Sequence, residues 1–156
     1  MVRGVLYSVL MAVILMGCSV RNHDNESIFE LKGSYIGDAS AVGKIVGYLP
    51  KSELFEGMEL KTTDKPYGMI LNYKDTNMNE DSMKETALYN ASYIFTLFRN
   101  ADWIEFRFGE KSMTVTKGKL EEWYRAELYK YENEEDLQKL IQKHLDDEEK
   151  VKQFMK

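Results

Sequence analysis

The chain has 156 residues, 44% of them hydrophobic, with a formal net charge of −5, one cysteine and two histidines. That length suits one domain of ordinary size, and a lone cysteine leaves packing rather than disulfides to hold it. The acidic balance argues against nucleic acid, whose binding rests on phosphate contacts from Lys and Arg. Two separated histidines leave hydrolytic triads and zinc clusters without their usual groups.

Residues 1–17, MVRGVLYSVLMAVILMG, open with Arg3 and continue as an apolar run from Val5 to Met16, interrupted only by Tyr7 and Ser8. As a helix the run spans roughly 18 Å, against about 30 Å of bilayer hydrocarbon. It is too short to cross comfortably, and its flanks are those of an export signal. The end of the run, Leu15–Met16–Gly17–Cys18, resembles the lipobox of bacterial lipoproteins. There a branched apolar residue stands three before the cysteine, and a small one just before it lets the peptidase approach. The resemblance implies cleavage before Cys18 and a covalent diacylglycerol on its sulfur, with palmitate among the acyl chains and no other cofactor. It also explains a leftover thiol in an exported chain. Two or three acyl chains hold firmly where one is marginal. The expected location is the outer side of the bacterial cytoplasmic membrane, or the outer membrane where the cell has one. Loss of residues 1–17 would leave a net charge of −6, which argues against wide contact with an anionic lipid surface.

SVRNHDNES, residues 19–27, has one apolar residue in nine and cannot bury enough surface to fold. We therefore expect a lipid-anchored tether over 18–29, a single domain over 30–147 and a charged tail over 148–156. His23 reads as a solvated tether residue. YIGDASAVGKIVGYLP (35–50) predicts a turn at Gly37 and a helix capped by Asp38 or Ser40. Val42, Ile45, Val46 and Leu49 recur at helical spacing, Gly43 and Gly47 read as close-packing positions, and Pro50 ends the helix. No phosphate-binding glycine pattern is present.

GMELKTTDKPYGMILNYKD (57–75) predicts a hairpin turning at Asp64–Lys65–Pro66. Met58 and Leu60 alternate with Glu59 and Lys61; Met69, Leu71 and Tyr73 alternate with Ile70 and Asn72. DTNMNED (75–81) has calcium-loop spacing at Asp75, Asn77 and Asn79. Glu80 and Thr86 occupy the places where that loop needs glycine and a bidentate glutamate, so it reads as a loop entering a helix cap. SMKETALYNASYIFTLFRN (82–100) is the clearest helix, with Leu88, Ala91, Phe95 and Phe98 as its apolar stripe, and Tyr89, Tyr93 and Leu97 off its shoulder.

ADWIEFRFGEKSMTVTKG (101–118) predicts a second hairpin, with Ile104, Phe106 and Phe108 on one face and Trp103, Glu105 and Arg107 on the other. Thr116 is placed to cap a short helix through LEEWYRAEL. Asn133 with Asp136 opens a last helix carrying Leu137, Leu140, Ile141, His144 and Leu145, and the charged end DDEEKVKQFMK is expected to fray. The order helix–hairpin–helix–hairpin–helix predicts an α+β fold with a four-stranded antiparallel sheet. The 82–99 helix would cover one face, with the first and last helices at the edges.

Tyr35, Gly37, Asp38, Ser40, Val42 and Gly43, then Leu49–Pro50, then Pro66–Tyr67–Gly68, follow a spaced pattern. It resembles a family of small bacterial lipoprotein domains of unknown function, over roughly residues 33–145. The resemblance implies a lipid address and a single domain, and no catalytic residues.

Trp103, Glu105 and Arg107 are the candidate binding residues, because aromatic and Arg side chains on one patch are typical anchors. The sequence thus predicts a non-catalytic envelope module that binds a protein, a peptide or a wall fragment, with no metal and no nucleic acid partner. The alternative is a small envelope hydrolase built on Glu105, since a carboxylate pair can do acid–base work. Helices covering Trp103 as ordinary core would remove the patch.

Overall fold

The computed structural model describes residues 27–74 and 78–154. The signal residues Leu15 and Gly17, the lipid-bearing Cys18, His23 of the tether, and Asp75 and Asn77 of the calcium-like loop lie outside the described residues.

A 3-10 turn, Ile28–Leu31, leads to α1, Ala39–Tyr48, whose first N–H groups at Ser40 and Ala41 donate to the Asp38 carboxylate. Val42, Ile45, Val46 and Leu49 are buried as their spacing requires. Gly43 and Gly47 correct the close-packing expectation. Both are exposed, and a Cβ added at either would meet nothing within 4 Å, because they lie opposite the buried stripe.

The sheet comprises β1, Phe55–Lys61, β2, Gly68–Tyr73, β3, Trp103–Phe108, and β4, Lys111–Thr116, in the order β1-β2-β3-β4. Both hairpins form as read, but the expectation of a wholly antiparallel sheet is corrected: β2 and β3 run parallel. Between them runs α2, Glu80–Leu97. An 18-residue helix covers about 27 Å, enough to carry the chain back to the end of the sheet where β2 began. The next strand therefore starts alongside β2 and points the same way, as in a β–α–β crossover.

α2 is central. Asn79 caps it by accepting from Ser82 N–H. Leu88, Ala91, Phe95 and Phe98 are fully buried as expected, but so are Tyr93 and Leu97 on the supposed shoulder. After the second hairpin come α3, Lys117–Tyr124, a 3-10 turn Leu128–Lys130, α4, Glu134–Leu145, and α5, Glu148–Phe154. α2 touches β3 and β4 and also α3, this 3-10 turn and α4, with α5 packed on α4. The expected element order is corrected here too: among the described residues three α-helices follow the second hairpin, since α5 joins the expected short helix and the helix opened by Asn133. α4, expected at a sheet edge, packs on α2. Thr116 caps α3, and Asn133 caps α4 through Asp136 N–H. The segment expected to fray forms α5, because Val151 and Phe154 reach the core from one face.

Side chains buried between the sheet and α2 include Met69, Leu71, Tyr73, Ile104, Phe106, Phe108 and Val115. All alternate in sequence with residues of the opposite sheet face. Among the described residues, no helix is long and apolar enough to cross a membrane.

Candidate functional site

Alternation along β3 sends Trp103, Glu105 and Arg107 to the face away from α2, where all three remain half-exposed. The sheet is therefore layered on one side, and Trp103 is not absorbed into the hydrophobic core. Parallel pairing places Gly68 directly beside Trp103. A Cβ at position 68 would stand 2.1 Å from the indole Cε2, so the ring occupies the space that any side chain there would need. The indole N–H donates to the Pro66 carbonyl at 3.0 Å. Asp102 fixes the same corner: its carboxylate accepts from Tyr67 N–H at 2.7 Å, and its own N–H donates to Tyr67 O at 2.8 Å.

Next to the indole lies a chain of charges that crosses the sheet. Arg107 Nε donates to Glu105 Oε1 at 2.7 Å and Nη1 reaches Glu59 Oε1 at 3.3 Å, while Lys61 Nζ donates to Glu59 Oε2 at 2.8 Å. Glu105 and Arg107 are two residues apart on one strand and so share a face, while Glu59 and Lys61 come from β1. Lys61, and behind it Arg107, holds the Glu59 carboxyl below the usual carboxylate range. The Glu105 carboxylate raises the Arg107 guanidinium, keeping it protonated. Between the two glutamates in register sits Ile70 on β2, only 5% exposed yet outside the main core. The face is thus an aromatic corner, a small apolar centre and a paired charge ladder.

Chemically, Glu105 is committed to Arg107 through both oxygens, the second at 3.4 Å from Nη2. The nearest second carboxylate in the ladder, Glu59, lies across the same guanidinium. Acid–base work needs a carboxyl placed to exchange a proton with a substrate, whereas both Glu105 oxygens are turned toward the Arg107 guanidinium. Among the described residues, no group of three His, Cys, Asp or Glu is arranged to hold a metal ion.

Sequence reading placed Trp103, Glu105 and Arg107 together on one face. It missed Gly68 and Asp102 as supports of Trp103, and Glu59 as the second partner of Arg107. Alternation in β1 did put Glu59 and Lys61 on a common face, but their meeting with Arg107 depends on the strand order.

No curated protein and no solved structure matches the chain. A family model, Domain of unknown function (DUF4825), matches residues 28–119. That span takes in every strand, α1 and α2, and stops at the start of α3, well short of residue 145 where the resemblance seen in the sequence extends. With more than half of its length matched, the chain belongs to the DUF4825 family of domains of unknown function.

Proposed function

We propose that this protein is a non-catalytic extracytoplasmic lipoprotein that binds a protein, peptide or wall fragment at the cell envelope through the open face of its sheet. The observation that carries the reading is the uncovered face itself. A half-exposed indole seated over Gly68 and a half-exposed arginine stand on one rigid surface beside the buried Ile70. Aromatic and guanidinium groups held still by a scaffold lose little freedom on binding, which favours them as anchors. The anchor in this reading is the lipid on Cys18, supported by the Leu15–Met16–Gly17–Cys18 pattern. Its test is incorporation of labelled palmitate, expected in the native chain and lost in Cys18→Ala.

The alternative, an envelope hydrolase built on Glu105, has against it the commitment of both Glu105 oxygens to Arg107. The separating experiment incubates the full chain, in detergent micelles, with purified wall polymers. The binding reading expects no polymer to be shortened by the native chain. Release of fragments by the native chain and not by Glu105→Gln would replace it with the hydrolase.

A further inference from the structure

We propose that the free edge of β4 is a strand-addition site for an extended acidic peptide of another protein. This surface adjoins the open face and does not depend on it.

β4 is the last strand of the sheet and, among the described residues, pairs only with β3, in a register that runs without a shift from Phe108↔Lys111 to Trp103↔Thr116. The two residues Gly109 and Glu110 turn the hairpin, Gly109 with φ +61°. In such a hairpin the closing pair exchanges hydrogen bonds, and alternate pairs after it do the same. Phe108↔Lys111, Phe106↔Met113 and Ile104↔Val115 are then the bonded pairs. The 2.9 Å bond from Lys117 N–H to Asp102 O continues that series. Ser112 and Thr114 consequently turn their backbone N–H and C=O outward, and among the described residues no backbone bond outside the sheet uses them. Both residues are exposed. The opposite edge differs, since β1 has a register shift between Phe55 and Gly57, the kind of irregularity that blunts an edge.

The surroundings select the occupant. A groove of about 440 Å³ runs along β4, lined by Glu80 and Lys84 of α2, Lys111 and Met113 of β4, and Lys119 of α3. Three lysines face one glutamate there, on a chain whose net charge is −5. Lys84 is paired with Glu80 at 2.6 Å. Lys111 and Lys119 have no carboxylate within ion-pair distance among the described residues, and Lys119 Nζ lies 4.9 Å from the centre of the Phe154 ring. An open strand edge takes an incoming strand by main-chain bonds, and the side chains beside it set which strand. A second copy of this chain would bring its own Lys111 and Lys119 against these, so like charge disfavours edge-to-edge self-association. An acidic strand meets the reverse: carboxylates on its groove-facing side pair with the Lys111 and Lys119 ammonium groups. Six residues of β4 match a peptide segment of roughly 20 Å.

The probe is the octapeptide (Glu-Thr)4, capped at both ends, added to the full chain in detergent micelles. We expect saturable binding, slowed hydrogen exchange at the Ser112 and Thr114 amides, and no binding of (Gln-Thr)4 or (Lys-Thr)4. The double variant Lys111→Glu, Lys119→Glu is expected to weaken binding by about tenfold or more. Thr114→Pro removes one outward N–H without touching the β3 ladder and is expected to abolish binding while the chain stays folded. Exchange at Ser112 and Thr114 in the native chain tests the proposal even if that variant unfolds. Unchanged exchange at these amides, or equal binding by a folded Thr114→Pro, would overturn it and reduce the interaction to charge adsorption.

Discussion

At position 68 a hydrogen in place of a side chain lets the Trp103 indole reach across to the neighbouring strand, where its N–H meets Pro66 O at 3.0 Å. The same arrangement makes Gly68→Ala a sharp probe of the site. The added methyl must displace the ring while leaving the Trp103 residue in place. Overpacking of this kind costs about 1–3 kcal/mol, so chemical denaturation should show Gly68→Ala less stable by that amount, with the Trp103 indole N–H resonance shifted. An unchanged indole environment would mean that the ring does not occupy the space above Gly68. The charge ladder behaves differently, because exposed ion pairs contribute little to stability. Arg107 and Glu59 are therefore available to a partner with little loss to the fold.

At the scale of elements, the outcome differs between strands and helices. Alternation alone sorts β3 into inward Ile104, Phe106 and Phe108 and outward Trp103, Glu105 and Arg107, and that much of the candidate site was legible. The direction of pairing was not, since parallel and antiparallel strands show the same period of two. A fainter signal did exist in β2, where Met69, Ile70 and Leu71 form an unbroken apolar run, as in strands buried on both faces. Support of Trp103 by Gly68 follows from the parallel register and was hidden with it. In α2 the apolar stripe was legible, but burial of Tyr93 and Leu97 on another side was not. At Tyr93 the cover includes α4, whose Glu134 and Gln138 meet its hydroxyl and which comes later in the chain. In α1 the two glycines are conspicuous in sequence and idle in space. Gly43 and Gly47 stand in a helix with open surroundings, where alanine is worth about 0.5–1 kcal/mol over glycine. Gly43→Ala and Gly47→Ala should each raise the denaturation midpoint. A fall at either would show that something does pack against that face.

Across the whole molecule, residues beyond the family segment are tied to it by specific polar contacts as well as by the core. Lys32 Nζ donates to the carbonyls of Tyr129 and Tyr131 and to Glu132, and the Tyr124 hydroxyl meets Ser92 Oγ at 2.9 Å. The Tyr48 and Tyr93 hydroxyls both donate to Glu134 Oε1, at 2.7 and 2.8 Å. These tyrosines set the behaviour of the protein in alkali. Burial pushes Tyr73 up to about 12, and burial together with the Glu134 carboxylate brings Tyr48 to about 12. Burial also raises Tyr93 and Tyr124. Folding thus holds the phenols neutral where the unfolded chain, with phenols near pH 10, has begun to ionise. Their contribution is complete below about pH 10 and is lost as pH rises from there toward the folded values, at on the order of 1 kcal/mol per pH unit for Tyr73 alone. Denaturation midpoints measured across this window should fall steadily, and Tyr73→Phe should flatten the fall. A flat native profile would mean that the phenols ionise freely in the folded state.

The uncovered sheet face is the centre of the functional reading, and crosslinking in living cells tests it most directly. A photoreactive residue in place of Asn72, whose register neighbours are Gly57 and Arg107, would report what sits on that face. We predict one discrete crosslinked species that disappears when Trp103→Ala is added. Absence of any specific product, or a product that survives loss of Trp103, would contradict the account.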